Sequence, residues 1–423
     1  MEHLALHKLH FHHRKQKNML SSTLVQKDVV TPPSQTMQIE LKNCTVSRTV
    51  YAFITGLAID RGNQLMLMSA DAKTPYYPPN PPKGTTVQPL QQDCAIPLGP
   101  PGTSVFATIP HIAGCRVWFS VNSKLTFRLN PSDYGPALVE PSCTNPSDPD
   151  INHWWDFAEL TFNADQCFAN ISYVDFVCLP MSVTLTTTDG KVDHVSGMAT
   201  NALNNMCRSM KSQEQIDGQP WSGLIVKNTK GEPLRVLSPN NAAFTGANFS
   251  NYFNGYVDQV YEQYEAQPLN VDTQAQWQRV QGTVSDSVMK FDGDTFAKPT
   301  TQDIFSCCTG PFGDNLTARK LAIIPRLSAA FNRGTLLTSN VTPDPSGPGT
   351  YYKSAICNHY SRIVHEQCLD GRGYAFPYDD VCQDGGPDQC GAVYDGKPKV
   401  LTIAVGGNAA YVSEGAFGAP AYN

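Results

Sequence analysis

Glu159 and Asp175 are residues whose types and spacing could do chemistry together. Each sits in a run rich in aromatic and β-branched residues, Trp154 to Phe162 and Phe168 to Phe176, and the polar stretch Asn163-Ala164-Asp165-Gln166-Cys167 between them has the makeup of a hairpin loop. Folded back on each other, two such strands bring the acids face to face. In the first run, period-2 alternation puts Ala158, Leu160 and Phe162 on one face, and Trp155, Phe157, Glu159, Thr161 and Asn163 on the other. An acid among rings and hydrogen-bonding groups suits cleavage of a sugar chain, which needs apolar faces for the pyranose, polar groups for its hydroxyls and two carboxyls for acid and base work.

Two carboxylates on a hairpin are more often plain solvated groups. Against that, Ile171, Tyr173 and Val177 share the parity of Asp175, while Val174 and Phe176 oppose it, so Asp175 is expected to be partly buried. Asp156 points away from Glu159 by parity and Asp165 falls in the turn. Asp379 and Asp380 could reach a groove, but their Tyr-Pro-Tyr context fits turn capping better.

The elements that must position these acids can be read along the chain. Strand-like runs begin at Met37 to Leu41 and Val50 to Ile54, and recur at Gln64 to Met68, Ser104 to Ile109, Val117 to Arg128 and Val183 to Thr186. Pro75 to Thr86 and Pro131 to Pro149 read as long loops. Helical spacing follows at Met198 to Met210, Tyr252 to Tyr264, Thr317 to Phe331 and Tyr351 to His365, with Pro325 expected to end or kink the third. The texture turns β-like again at Gly373 to Val381 and Val400 to Val405. The order strands, helices, strands predicts a mainly β protein: a β-sandwich or barrel of residues 37–189 and 359–410, a mixed α/β domain at 190–358, a cleft between them, and polar tails at 1–36 and 411–423.

Composition supports this and removes other classes. With 41% hydrophobic and 16% charged residues, 31 Gly and 32 Pro, the 423-residue chain is globular and loop-rich rather than a helical bundle. A net charge of -6 without a basic stripe beyond the first twenty residues argues against nucleic acid as a partner. No apolar run is long enough to span a membrane. The 13 cysteines show no zinc-site spacing, so they read as core thiols with some disulfides, Cys382 and Cys390 being placed to close a small loop. Histidines 3, 7, 10, 12 and 13 read as a solvated tail, not a metal site. No metal or cofactor is expected. Sequons at Asn43, Asn170, Asn248, Asn315 and Asn340 suit an extracellular protein, although Met1 to Lys17 lacks the apolar core of a signal peptide.

The chain resembles glycoside hydrolase family 64, the β-1,3-glucanases that release laminaripentaose. The resemblance is carried by Tyr76-Tyr77-Pro78-Pro79, Asp93 to Gly99, Pro136 to Ser142, Asp156 to Phe162, Ile171 to Val177, Leu237-Ser238-Pro239-Asn240-Asn241, Asp303 to Cys307 and Asp370 to Asp380. It implies a thaumatin-like β-barrel beside a mixed α/β domain, and a monomer cleaving β-1,3-glucan in endo fashion with inversion. Glu159 would then be the general acid and Asp175 the base. Thr161 and Asn163 match glucan-contacting positions and Phe168 stands where a relative carries Trp; Trp155 and Tyr173 complete the expected sugar contacts. Inversion calls for carboxyls about 6.5 to 9.5 Å apart, retention for about 5 Å. The competing expectation is a non-catalytic thaumatin-like glucan-binding protein on the same fold.

Overall fold

The computed structural model describes residues 35–387 and 389–407. The two tails and the histidine cluster lie, apart from residues 35–36, outside the described residues.

Alternation of buried and open positions along Thr36–Asn43 marks a strand with one face on a core. It lies in a five-stranded sheet ordered Val192–Val195, Met181–Thr187, Pro398–Val405, Thr36–Asn43, Ser104–Pro110. Thr36–Asn43 runs parallel to Pro398–Val405, Gln38 opposite Val400, and antiparallel to Ser104–Pro110. The second sheet runs Ala392–Asp395, Cys167–Ile171, Trp154–Phe162, Ile112–Val121, Val50–Ala58, Gln64–Met68, Pro75–Tyr76, with Ile96–Pro97 also on Val50–Ala58. Ile39, Leu41, Val183, Leu185, Leu401 and Ile403 of the first sheet share one hydrophobic cluster with Ile54, Val117, Ala158, Leu160 and Ile171 of the second. Both sheets are open, so the barrel expectation is corrected: each ends in edge strands.

The remaining chain supplies helices and smaller sheets. Phe176–Val177, Pro233–Leu237 and Ile225–Lys227 form one sheet, and Asp294–Ala297, Val288–Phe291, Arg279–Ser285, Leu269–Asp272 and Val341–Thr342 another. The helices are Ala202–Asp217, Asn254–Ala266, Thr301–Ser306, Ala318–Arg333 and His359–Gln367. Arg362 of the last ties it to the first, donating to Gln213 Oε1 at 2.9 Å.

Several expectations are displaced for local reasons. Pro325 neither ends nor interrupts its helix, which is capped by the Thr317 side chain at one end and left-handed Gly334 at the other and buries Ile323, Ile324, Leu327 and Phe331. The packing outweighs one missing hydrogen bond. The run expected from Val117 to Arg128 stops at Val121, because Asn122 adopts φ 67°. Gly373 to Val381 is not a strand; only Tyr374 bridges, to Ser172, and the rest forms turns. The Asn43 and Asn170 sequons are buried, and the Asn43 amide already donates to the carbonyls of Ser47 and Gly99. Those at Asn248, Asn315 and Asn340 are exposed. Cys143, Cys167, Cys178 and Cys368 are buried unbridged thiols. Burial pushes the Cys167 and Cys178 thiols up to about 12, so neither is a ready nucleophile. Among the described residues no helix is long and apolar enough to cross a membrane.

Candidate active site

Trp154–Phe162 pairs with Cys167–Ile171 as a hairpin: Thr161 faces Phe168, Glu159 faces Asn170 and Ala158 faces Ile171. On its other side Glu159 faces Arg116 of Ile112–Val121, and beyond Cys167–Ile171 the row ends on Ala392. One row of the sheet therefore reads Arg116, Glu159, Asn170, Ala392, and the next open row on the same face reads Thr161, Phe168, Tyr394.

The parity reading placed Trp155, Phe157, Glu159 and Thr161 on one face, and the register agrees. The face divides along its length. At the Trp155 end it is a second core: Trp155 packs on Trp118 and Phe176, Phe157 packs on Trp118, and Arg235 lies over the Trp155 ring. Trp155 is 1% exposed, which corrects its expected role as a sugar contact. Tyr173 is corrected in the same way, being 0% exposed. At the Glu159 end the cover stops, and Thr161, Asn163 and Phe168 are part-exposed. The Phe168 ring stacks on Tyr394, centroids 6.4 Å apart and planes 19° from parallel, and Tyr394 is 52% exposed. Asn163 closes the hairpin turn, its Oδ1 accepting from the backbone N–H of Asp165 and Gln166, which leaves its amide nitrogen to offer a ligand.

Asp175 is not the cross-strand partner of Glu159. The strand of the hairpin ends at Ile171, and Asp175 lies four residues on, exposed, in the bend before Phe176–Val177. This corrects both the facing pair and the expected partial burial: apolar parity buried Tyr173 and Phe176, while the bend turned the side chain between them outward. The bend is held from three sides. Tyr173 donates its N–H to the Tyr374 carbonyl and receives the Tyr360 hydroxyl on its own carbonyl, both at 2.7 Å. The Asp175 carbonyl accepts the Ser238 N–H at 2.9 Å and the Asn241 amide at 3.1 Å. Thus the Leu237 to Asn241 motif supports the second acid. Gly373 permits the close approach of the Tyr374 loop, since a Cβ there would meet Cys368 Sγ at 2.9 Å.

Sequence reading missed the group at the centre. Arg116 donates from Nη1 to Glu140 Oε2 at 2.6 Å and from Nε to Glu159 Oε1 at 3.3 Å, with its guanidinium over the rings of Phe157 and Trp118. Burial opposes its charge, but Glu140, Glu159 and Asp175 outweigh that and hold its pKa above the ordinary value. The signal was present in the sequence: Arg116 shares the parity of Trp118 and is the one charged residue of Ile112–Val121, and Glu140 lies within the Pro136 to Ser142 stretch. Asp156 points into the core, accepting the N–H groups of Phe157, Cys178 and Leu179. Asp379 is buried and structural: it accepts from Ala375 N and Arg333 and pairs with His365 Nε2 at 2.8 Å. Among the described residues no group of three or more His, Cys, Asp or Glu is placed to hold a metal ion.

Carboxylates gathered around one arginine at the open end of a β-sheet, beside stacked rings and an amide, form the kind of site that handles carbohydrate. The family model of the β-1,3-glucanases of glycoside hydrolase family 64 matches residues 35–405, and the chain belongs to this family. It is 28% identical over 311 residues to the glucan endo-1,3-beta-glucosidases of Cellulosimicrobium cellulans and of Arthrobacter sp. (strain YCWD3), covering 71% of this chain and 53% of each relative. The chain spans about half the length of these curated relatives. Among solved structures it is similar to a laminaripentaose-producing β-1,3-glucanase in complex with laminaritetraose, with TM-score 0.77 and 27% identity over 88% of this chain and 98% of that one. The β-1,3-glucanase domain from Clostridium beijerinckii shares the fold, with TM-score 0.67 and 21% identity over 89% of this chain and 100% of that one.

Proposed function

We propose that this chain is an endo-acting glycoside hydrolase that cleaves β-1,3-glucan by inversion, outside the cell. Glu159 protonates the glycosidic oxygen as general acid; Asp175 takes a proton from the water that attacks the anomeric carbon from the opposite face. Thr161 and the Asn163 amide nitrogen hydrogen-bond sugar hydroxyls, and Phe168 with Tyr394 offers ring faces to the pyranose.

The observation that carries this reading is the separate mounting of the two acids. Glu159 stands on a rigid strand with Asn170 as its direct partner, and Asp175 on a bend fixed by Ser238 and Asn241, while both act on Arg116. Directly paired side chains have Cβ atoms roughly 5 Å apart. Acids outside such a pair leave room between them for sugar and water, as inversion requires. That the similar proteins are glucan endo-1,3-beta-glucosidases supports the same substrate class.

The test is digestion of laminarin by the wild type, Glu159→Gln and Asp175→Asn. Each substitution should cost roughly two to four orders of magnitude in kcat, and proton NMR of the first products should show the α-anomer. Full activity in both variants would sink the assignment. Laminarin binding without new reducing ends in the wild type would select the non-catalytic reading instead.

A further inference from the structure

We infer that Glu140 is a positioning residue for this reaction: by taking up the charge of Arg116 it lets Glu159 carry the proton that a general acid must deliver. The inference rests on the reading of Glu159 as the acid.

A carboxyl beside a lone guanidinium is favoured in its ionised form and makes a poor proton donor near neutral pH. Here the guanidinium is not alone. Glu140 makes the shorter contact with Arg116, 2.6 Å against 3.3 Å for Glu159, so the stronger ion pair is the one outside the proposed chemistry. The Arg116 side chain is only 17% exposed and is packed over Phe157, which limits how far water can disperse its charge. Whatever balances that charge must be built into the protein. Glu140 does so from the segment after the short strand Ala137–Val139, with Pro141 following it.

The charged and titratable groups around Glu159 come from four elements. Arg116 comes from Ile112–Val121, Glu140 from the segment after Ala137–Val139, Asp175 from the bend after Ile171, and Tyr374 from the loop that bridges to Ser172. Burial pushes the Tyr374 phenol well up, so it is neutral throughout the working range. Asp175 has to be ionised to act as base. With Glu159 protonated, the two remaining carboxylates surround one cation. Without Glu140 the balance falls to Asp175 alone, which is exposed to solvent.

The experiment is the pH profile of kcat on laminarin. In Glu140→Gln the high-pH limb, where the acid loses its proton, should move down by about one pH unit. Glu140→Asp, which keeps the charge, should leave it in place. Arg116→Met should move the limb upward, because Glu140 and Glu159 then face each other as like charges. Titration of the Glu159 carboxyl by 13C NMR in folded Glu140→Gln should move downward as well, and it needs no turnover. An unmoved limb in Glu140→Gln, or a rate lowered equally at every pH, would overturn the inference. Glu159→Gln separates the two levels. If that variant is inactive while Glu140→Gln titrates like wild type, only the role of Glu140 falls; if it stays active, the acid assignment falls first.

Discussion

At the scale of single residues, pattern and chemistry part company where one strand face serves two environments. Alternation assigned Trp155 and Glu159 to the same side correctly, yet it has no information about which neighbours cover that side. Trp155 is sealed by Trp118, Phe176 and Arg235, whereas Tyr394, invisible as a candidate because its strand follows a Gly-rich loop, stands open on Phe168. The two rings should therefore answer substitution in opposite ways. Trp155→Ala should cost about 3 to 5 kcal/mol in urea unfolding with little change in KM of the folded enzyme. Tyr394→Ala should leave stability nearly unchanged and raise KM about fivefold, the worth of about 1 kcal/mol of lost ring contact. A Trp155 variant of normal stability and weakened glucan binding would reverse this assignment.

At the scale of elements, the hairpin Trp154–Phe162 with Cys167–Ile171 was legible because its alternation is local. The bend carrying Asp175 was not, since Tyr360, Tyr374, Ser238 and Asn241 that hold it come from distant parts of the chain. The Tyr374 loop is itself anchored to the helix His359–Gln367, where His365 donates from Nδ1 to the Gly371 carbonyl and pairs through Nε2 with Asp379. Burial would lower the His365 pKa, but Asp379 outweighs it and raises it above the ordinary 6.5. Burial likewise opposes ionisation of Asp379, and His365 with Arg333 holds its carboxyl below the usual 3.8. The signs follow by linkage. The His365 contribution is full below pH 6.5 and is lost as pH rises through the raised value, while that of Asp379 is present above pH 3.8 and is lost as pH falls through the lowered one. Urea unfolding should accordingly show stability declining above pH 6.5 in the wild type and a flatter profile there in His365→Gln. Parallel profiles for the two proteins would argue that the imidazole is neutral.

At the scale of the molecule, the succession of strands, helices and strands was readable from texture alone, because a change of hydrophobic period needs no knowledge of partners. Which strands pair was not. Val400 to Val405 was recognisable as a strand, but its seat between Thr36–Asn43 and Met181–Thr187 depends on contacts made across almost the whole chain. Deleting residues 398–405 should therefore abolish cooperative unfolding and laminarin cleavage together, as read by circular dichroism and reducing-end assay; a folded, active truncation would contradict the central place of this strand. The same seat has a consequence for synthesis. Until residue 405 has left the ribosome, the sheet stands with a vacant slot one strand wide, flanked by two unsatisfied backbone edges. One edge of Thr36–Asn43 must wait for Pro398–Val405, so the growing sheet stays open to wrong partners while the more than 350 residues between them are made, and its yield in a cell depends on how well those waiting edges are shielded.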